Sequence, residues 1–264
     1  MEQRHDHLRL LAAGGHDVEI HAVAEIYPRA GVLASWLNAA LDSRADVSLC
    51  PVVGGDNPFN GSATTVEEWQ LARMQLREAL SALLSKATGP ARCVLPVPGD
   101  PGGLPAGLPT AAAAGQAVLV PVDQGSLVLV PTSLQLDEAA TWQGLPGPGL
   151  TSYAADPRAA RAEVLSQLTQ AVEILESLPS PSRDQGLLRQ RLQRLDLVPL
   201  APGSSGPAAE LARLSARLLT IVAAAIPAAD PGTSSGRAAR ELLVPLGRVG
   251  RAALAIAFSE PSQR

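Results

Sequence analysis

The chain has 264 residues, of which 46% are apolar and 17% charged, and its formal net charge at pH 7 is −4. This length allows one large domain or two small ones, each with a substantial core. An acidic chain with few charges lacks the positive field that nucleic-acid-binding proteins use, so we do not expect nucleic acid as the main partner.

The first third of the chain is predicted to alternate strands with helices. Residues 18–26 place apolar side chains at every second position, which favours a half-buried strand, although a short helix also fits. A helix is predicted over residues 31–41 and a second strand over 47–53. Thr65 and Glu68 have the spacing of a capping box at the start of the next helix, which ends before Gly89-Pro90.

A third strand is predicted over residues 93–97, and strand, helix and strand then follow one another as in a βαβ unit with parallel strands. Two apolar runs around Asp123-Gln124-Gly125-Ser126 predict a hairpin. We therefore predict an α+β (mixed α/β) fold, with a small, mostly parallel sheet and a hairpin in the N-terminal half.

The C-terminal half is predicted to be helical. Asp156 followed by Pro157 is a typical helix start. Further helices are predicted over residues 185–195, 208–226 and 237–258, and Pro245 is expected to kink the last one. The predicted organisation is an α/β layer over 1–135, a Gly/Pro-rich linker over 136–155, and a helical bundle or cap over 156–264. The two parts could also form one compact domain.

The run "CVLPVPGDPGGLPAG", residues 93–107, joins an apolar strand to a loop rich in glycine and proline. A phosphate-binding loop needs backbone amides and a lysine at a fixed offset. This loop has no lysine, and Pro98, Pro101 and Pro105 supply no amide hydrogen. We therefore interpret it as a proline-stiffened turn that presents Asp100.

Asp56, Asp100 and Asp123 each lie close to the end of a predicted strand. Ligands of open α/β sheets bind outside the carboxyl ends of parallel strands, where paired carboxylates suit a divalent cation or general acid–base catalysis. Aspartate before glycine, asparagine or proline is also ordinary turn chemistry. Both interpretations stay open, and these three are the only catalytic candidates.

Other site chemistry is not indicated. The chain has no G-x-S-x-G at a strand-to-helix turn, because the one match, residues 232–236, lies between two predicted helices, and it has no G-x-G-x-x-G loop after a strand. Cys50 and Cys93 lie in apolar segments, which favours buried thiols over a disulfide or a nucleophile. The histidines are all N-terminal, without a cysteine near enough to complete a zinc site: His5, His7, His16 and His21. We expect no cofactor and no metal.

The segment "LPVPGDPGGLP", residues 95–105, resembles one carried by a group of uncharacterised proteins from high-GC actinobacteria. Their helical C-terminal regions are also rich in arginine. The resemblance implies an intracellular protein and assigns no activity. In this chain, the last predicted helix carries four arginines that could face solvent, a partner protein or nucleic acid: Arg237, Arg240, Arg248 and Arg251.

These observations favour a non-enzymatic cytoplasmic protein that acts through a protein partner or through self-association. The N-terminus lacks a signal-peptide core, and the apolar run at 218–229 is too short to span a membrane, so no membrane association is expected. The alternative is a small-ligand or metal-dependent enzyme or binder that uses Asp56, Asp100 and Asp123.

Overall fold

The computed structural model describes residues 27–47, 50, 76–131, 142–150, 156–175, 192–193, 195, 200–228 and 232–261. Within these residues the fold has four strands and six helices. In chain order they are α1 (Arg29–Leu41), α2 (Leu76–Lys86), β1 (Arg92–Val94), α3 (Pro109–Ala114), β2 (Ala117–Val122), β3 (Gly125–Pro131), β4 (Trp142–Gly147), α4 (Pro157–Leu175), α5 (Gly206–Ala228) and α6 (Ser234–Ser259).

The sheet is antiparallel throughout, with strand order β1-β2-β3-β4. The prediction of a mostly parallel sheet is therefore wrong, whereas the α+β class and the helical C-terminal region are confirmed. Of the predicted strand at 47–53, Val47 and Cys50 are not in a strand, and its other residues, like all of 18–26, lie outside the described residues. The chain leaves β1 through a loop and short α3, then reverses into β2 without a crossover.

The parallel prediction rested on joining a strand at 47–53 to one at 93–97 through a crossover helix, whereas β1 pairs antiparallel with β2. The strands of the sheet are also buried on both faces. Alternate residues of β2 and β3 enter two separate apolar clusters, so both faces of the sheet are covered. Val118 and Leu129 face the cluster that contains α1 and α6, whereas Leu119 and Val128 face Leu104 and its neighbours in the loop after β1. A strand buried on both faces has a continuous apolar sequence, which is typical of parallel sheets.

The predicted hairpin is present. β2 and β3 pair from Val118–Leu129 to Val122–Gly125, and Asp123 and Gln124 form the turn between them. β4 completes the sheet along β3, although its sequence lies inside the Gly/Pro-rich segment interpreted as a linker. The predicted domain boundaries stay predictions.

The outer edge of β1 is closed by side chains of two helices. Asn38 of α1 accepts a hydrogen bond from the Ala91 amide at 2.7 Å and donates to the Ala91 carbonyl at 3.0 Å. Ser259 at the end of α6 accepts from the Cys93 amide at 2.9 Å. Asn38 also donates to the Ser259 carbonyl at 3.3 Å. These bonds replace a neighbouring strand and join α1, β1 and α6 in the core.

Helix α6 is the central element of the helical half, with contacts to α1, α4, α5 and β1. Thr233 caps its N-terminus by accepting from the Gly236 amide at 3.0 Å. The helix continues through Pro245, which lies on the exposed side. Gly247 and Gly250 allow α5 to approach, because a Cβ at these positions would lie 3.3 Å from Val222 and 3.2 Å from Leu219.

By length and composition, α6 is the one helix of the described residues that could cross a membrane. Half of its most apolar 18-residue window is buried inside the fold. Its apolar face contacts neighbouring helices and β1, as the face of a core helix does.

Helix α4 begins where the sequence predicts. Asp156 Oδ1 accepts hydrogen bonds from the amides of Arg158 and Ala159, at 2.9 and 3.1 Å, which confirms the predicted N-cap before Pro157. In this helix Val164 is fully enclosed, whereas Leu165 is 39% exposed. The helix predicted over 185–195 lies mostly outside the described residues.

Candidate binding cleft

The loop between β1 and β2 encloses a cleft of about 580 Å³ that is open to solvent. Apolar side chains form most of its wall, with Leu104 and Leu108 toward the sheet and Ala106 and Ala112 toward solvent. Asp100 is the only charged side chain among the lining residues. The wall also contains five prolines: Pro96, Pro98, Pro101, Pro105 and Pro109. We call this feature the proline cleft.

Local turn chemistry shapes the first part of the proline cleft. Val97 and Asp100 exchange two backbone hydrogen bonds of 2.9 Å around Pro98-Gly99. Gly99 has φ +80°, and proline followed by such a glycine is the sequence of a type II turn. Glycine is also required at position 102. Gly102 has φ +56°, and a Cβ there would lie 2.9 Å from the Leu95 carbonyl oxygen.

The far side of the proline cleft is attached to the sheet. Leu104 and Leu108 are each only 9% exposed and share a cluster with Leu119, Val128 and Val130. Proline fixes φ at five of the lining positions, whereas Gly99 and Gly107 in the same wall are not restricted in this way. The prolines therefore reduce the ordering that these five positions need when something binds to the cleft.

Asp100 connects the proline cleft to α6 through two arginines. Its Oδ2 lies 3.3 Å from Nε of Arg248 and 3.3 Å from Nη2 of Arg251. Its Oδ1 accepts from the Gly102 amide at 3.2 Å. Burial by itself would raise the pKa of Asp100, but the Gly102 amide, the hydrogen bond from Arg251 and the charges of both arginines together lower the pKa. Asp100 is therefore ionised at neutral pH.

This ion-pair cluster predicts a pH-dependent contribution to stability. The pKa of Asp100 is lower in the folded chain than in the unfolded chain, so its contribution is complete above the ordinary aspartate pKa of about 3.9 and is lost as pH falls below it. We expect Asp100→Asn to lower the free energy of unfolding by about 1 kcal/mol at pH 7. Urea titrations of both proteins should show this difference disappear toward pH 2.5, and an equal difference at both pH values would contradict the assignment.

Asp123, the other described candidate, does not join Asp100. Asp123 is exposed in the β2–β3 turn. Because β1 and β2 are antiparallel, the residues that follow them lie toward opposite ends of the sheet, and Asp100 and Asp123 share no edge. Asp56 lies outside the described residues, so its pairing with Asp100 stays a prediction. Two guanidinium groups already neutralise Asp100, which disfavours a divalent cation there.

The remaining candidates are placed as follows. Cys50 and Cys93 are buried free thiols, as predicted, and burial raises the pKa of the Cys93 thiol. The four histidines lie outside the described residues, within which no group of three or more His, Cys, Asp or Glu side chains could hold a metal.

The sequence interpretation did not connect the arginines of α6 with Asp100. Arg248 and Arg251 are three residues apart and therefore lie on one face of the helix. This spacing is the feature of the sequence that could have predicted that both arginines contact one anion. Arg237 is exposed nearer the start of α6. The last helix therefore uses two of its four arginines to hold the loop at the proline cleft.

Comparison with known families covers the part of the chain that holds this cleft. Residues 30–160 match the family model described as Rv1486c-like protein, N-terminal domain. The Rv1486c-like region begins in α1, contains the whole described sheet and the proline cleft, and ends in the first turn of α4. Arg248 and Arg251 lie beyond it, in α6. The match is consistent with the resemblance to an actinobacterial group and leaves the LPVPGDPGGLP segment itself untested.

No curated protein and no solved structure matches the chain significantly.

Proposed function

We propose that this chain is a non-enzymatic cytoplasmic protein that acts by protein–protein interaction, and that the proline cleft binds a short, extended, apolar segment of a partner protein. One observation carries the proposal. The cleft is a solvent-open depression with an apolar wall, attached to the core through Leu104 and Leu108. Apolar concave surfaces of this kind are typical of sites that bind ligands or partner proteins.

The composition of the wall favours a peptide segment as the occupant. Five of the lining residues are prolines, which offer no amide hydrogen for orienting a polar small molecule. Apolar contact and shape must then supply most of the binding free energy, as they do when an apolar side chain of a partner fills a pocket. The prolines of the wall also reduce the conformational entropy lost on binding.

Two neighbouring alanines of α3 provide a matched test. Ala112 and Ala113 are both exposed, but only Ala112 lines the proline cleft. We expect Ala112→Glu to reduce partner binding at least tenfold, because its carboxylate would have to lose water when an apolar segment packs against it. Ala113→Glu introduces the same charge on the same short helix and should bind like the unaltered protein.

The measurement is quantitative co-purification of one identified partner with the three proteins, followed by titration of the purified pair. Partner retention by the unaltered protein and Ala113→Glu, together with loss by Ala112→Glu, supports the proposal. Equal retention by all three proteins would contradict it. If the retained protein is a second copy of this chain, the cleft is a self-association surface instead.

A further inference from the structure

Among the described residues, the cluster beside the proline cleft has more positive than negative charge. Arg248 and Arg251 both contact the same Asp100 oxygen, so two guanidinium groups share one carboxylate. The second oxygen of Asp100 is already engaged by the Gly102 amide. The cluster of Asp100, Arg248 and Arg251 therefore carries a net charge of about +1 at neutral pH.

The two guanidinium groups also keep hydrogen-bonding capacity. Arg248 forms an ion pair with Asp100 through its Nε, and its side chain is 61% exposed. Arg251 uses Nη2, and its buried Nε has no hydrogen-bond partner among the described residues. Each guanidinium has five N–H donors, and a carboxylate is the acceptor that best matches their planar arrangement.

The position of these groups relates them to the cleft. Asp100 is itself a lining residue, and both arginines, which do not line the cleft themselves, contact it directly. A bound segment that extends past Asp100 would therefore approach a site with excess positive charge. Arg248 is the more accessible of the two arginines, with 61% of its side chain exposed against 25% for Arg251.

We propose that the segment bound in the proline cleft carries an aspartate or glutamate next to its apolar residue, and that Arg248 selects for this carboxylate. This inference rests on the proposed function, because it specifies the chemistry of the partner at the same cleft. It makes Arg248 a specificity-determining residue that lies outside the Rv1486c-like region.

The experiment uses a displayed library of random 12-residue peptides selected on the full chain. Peptides are kept when Ala112→Glu abolishes their binding and Ala113→Glu does not. We expect these cleft-dependent peptides to be enriched in aspartate or glutamate beside an apolar residue. Changing that acidic residue to its amide should weaken binding to the unaltered protein about fivefold, as expected for a partly exposed ion pair.

Arginine variants then show which residue of α6 recognises the carboxylate of the peptide. With Arg248→Gln, the acidic and amide peptides should bind with nearly equal affinity, whereas Arg237→Gln on the same helix should keep the fivefold difference. Cleft-dependent peptides without acidic enrichment, or a difference that survives Arg248→Gln, would overturn this inference and leave the proposed function standing. Failure to select any cleft-dependent peptide would overturn both.

Discussion

Replacing Asn38 with alanine is expected to lower the free energy of unfolding by about 3 kcal/mol or more. Asn38 is 2% exposed and makes three hydrogen bonds to backbone groups, two with Ala91 and one with Ser259. Alanine leaves the amide of Ala91 and both carbonyls without this partner inside the core. Each buried polar group left unpaired costs about 1–3 kcal/mol.

Two serines provide the control for this prediction. Ser259 donates to the Ala255 carbonyl within its own helix and also accepts from the Cys93 amide, whereas Ser85 is exposed and donates only to the Ala82 carbonyl. Ser259→Ala should cost about 1–3 kcal/mol and Ser85→Ala less than about 0.5 kcal/mol. Chemical denaturation of the three variants measures these differences. An Asn38→Ala protein as stable as Ser85→Ala would show that these bonds do not join α1 and α6 to β1.

Replacing Gly31 with alanine is expected to destabilise the protein by about 2 kcal/mol. Gly31 lies in α1 against Phe258, which is fully buried and has its ring centroid 5.9 Å from that of Tyr27. A Cβ on Gly31 would lie 2.7 Å from Cδ2 and 2.8 Å from Cγ of the Phe258 ring. Overpacking of this kind costs about 1–3 kcal/mol or more, and exceeds the roughly 1 kcal/mol that alanine gains in helix propensity.

Gly206 is the matched position for this test, because it begins α5 and a Cβ there would have nothing within 4 Å. Gly206→Ala should leave the unfolding midpoint nearly unchanged. If the Phe258 ring is the obstacle, Phe258→Leu should also reduce the further cost of adding Gly31→Ala, which a double-mutant cycle measures. Additive effects of the two substitutions would contradict this account of the contact.

The sequence predicts the helices of this protein better than its sheet. Caps and breakers are local signals, so Asp156 before Pro157 marked the start of α4 directly. Strand pairing depends on distant residues and on what covers each face. The parallel prediction came from the strand–helix–strand order of the first third of the chain, whereas β1 pairs antiparallel with β2, which follows it through a loop and α3. β4 was missed because its two glycines and its proline are typical of a loop.

The candidate site was predicted in part. The sequence identified the stiff proline turn and the position of Asp100 at its end. It did not predict that Arg248 and Arg251, some 150 residues further along the chain, contact that carboxylate. Such long-range pairing depends on tertiary structure, because α6 must lie against β1 before its arginines can reach the loop.

The most direct test of the docking proposal is a map of where a bound peptide touches the protein. Library peptides selected on the unaltered chain, without any filter for the cleft, are titrated into protein with labelled alanine, leucine and isoleucine methyl groups. We expect the methyl signals of Ala106, Ala112 and Leu104 to shift with a common dissociation constant. Shifts confined to Leu165 and Ile221, the exposed apolar side chains of α4 and α5, would contradict the proposal.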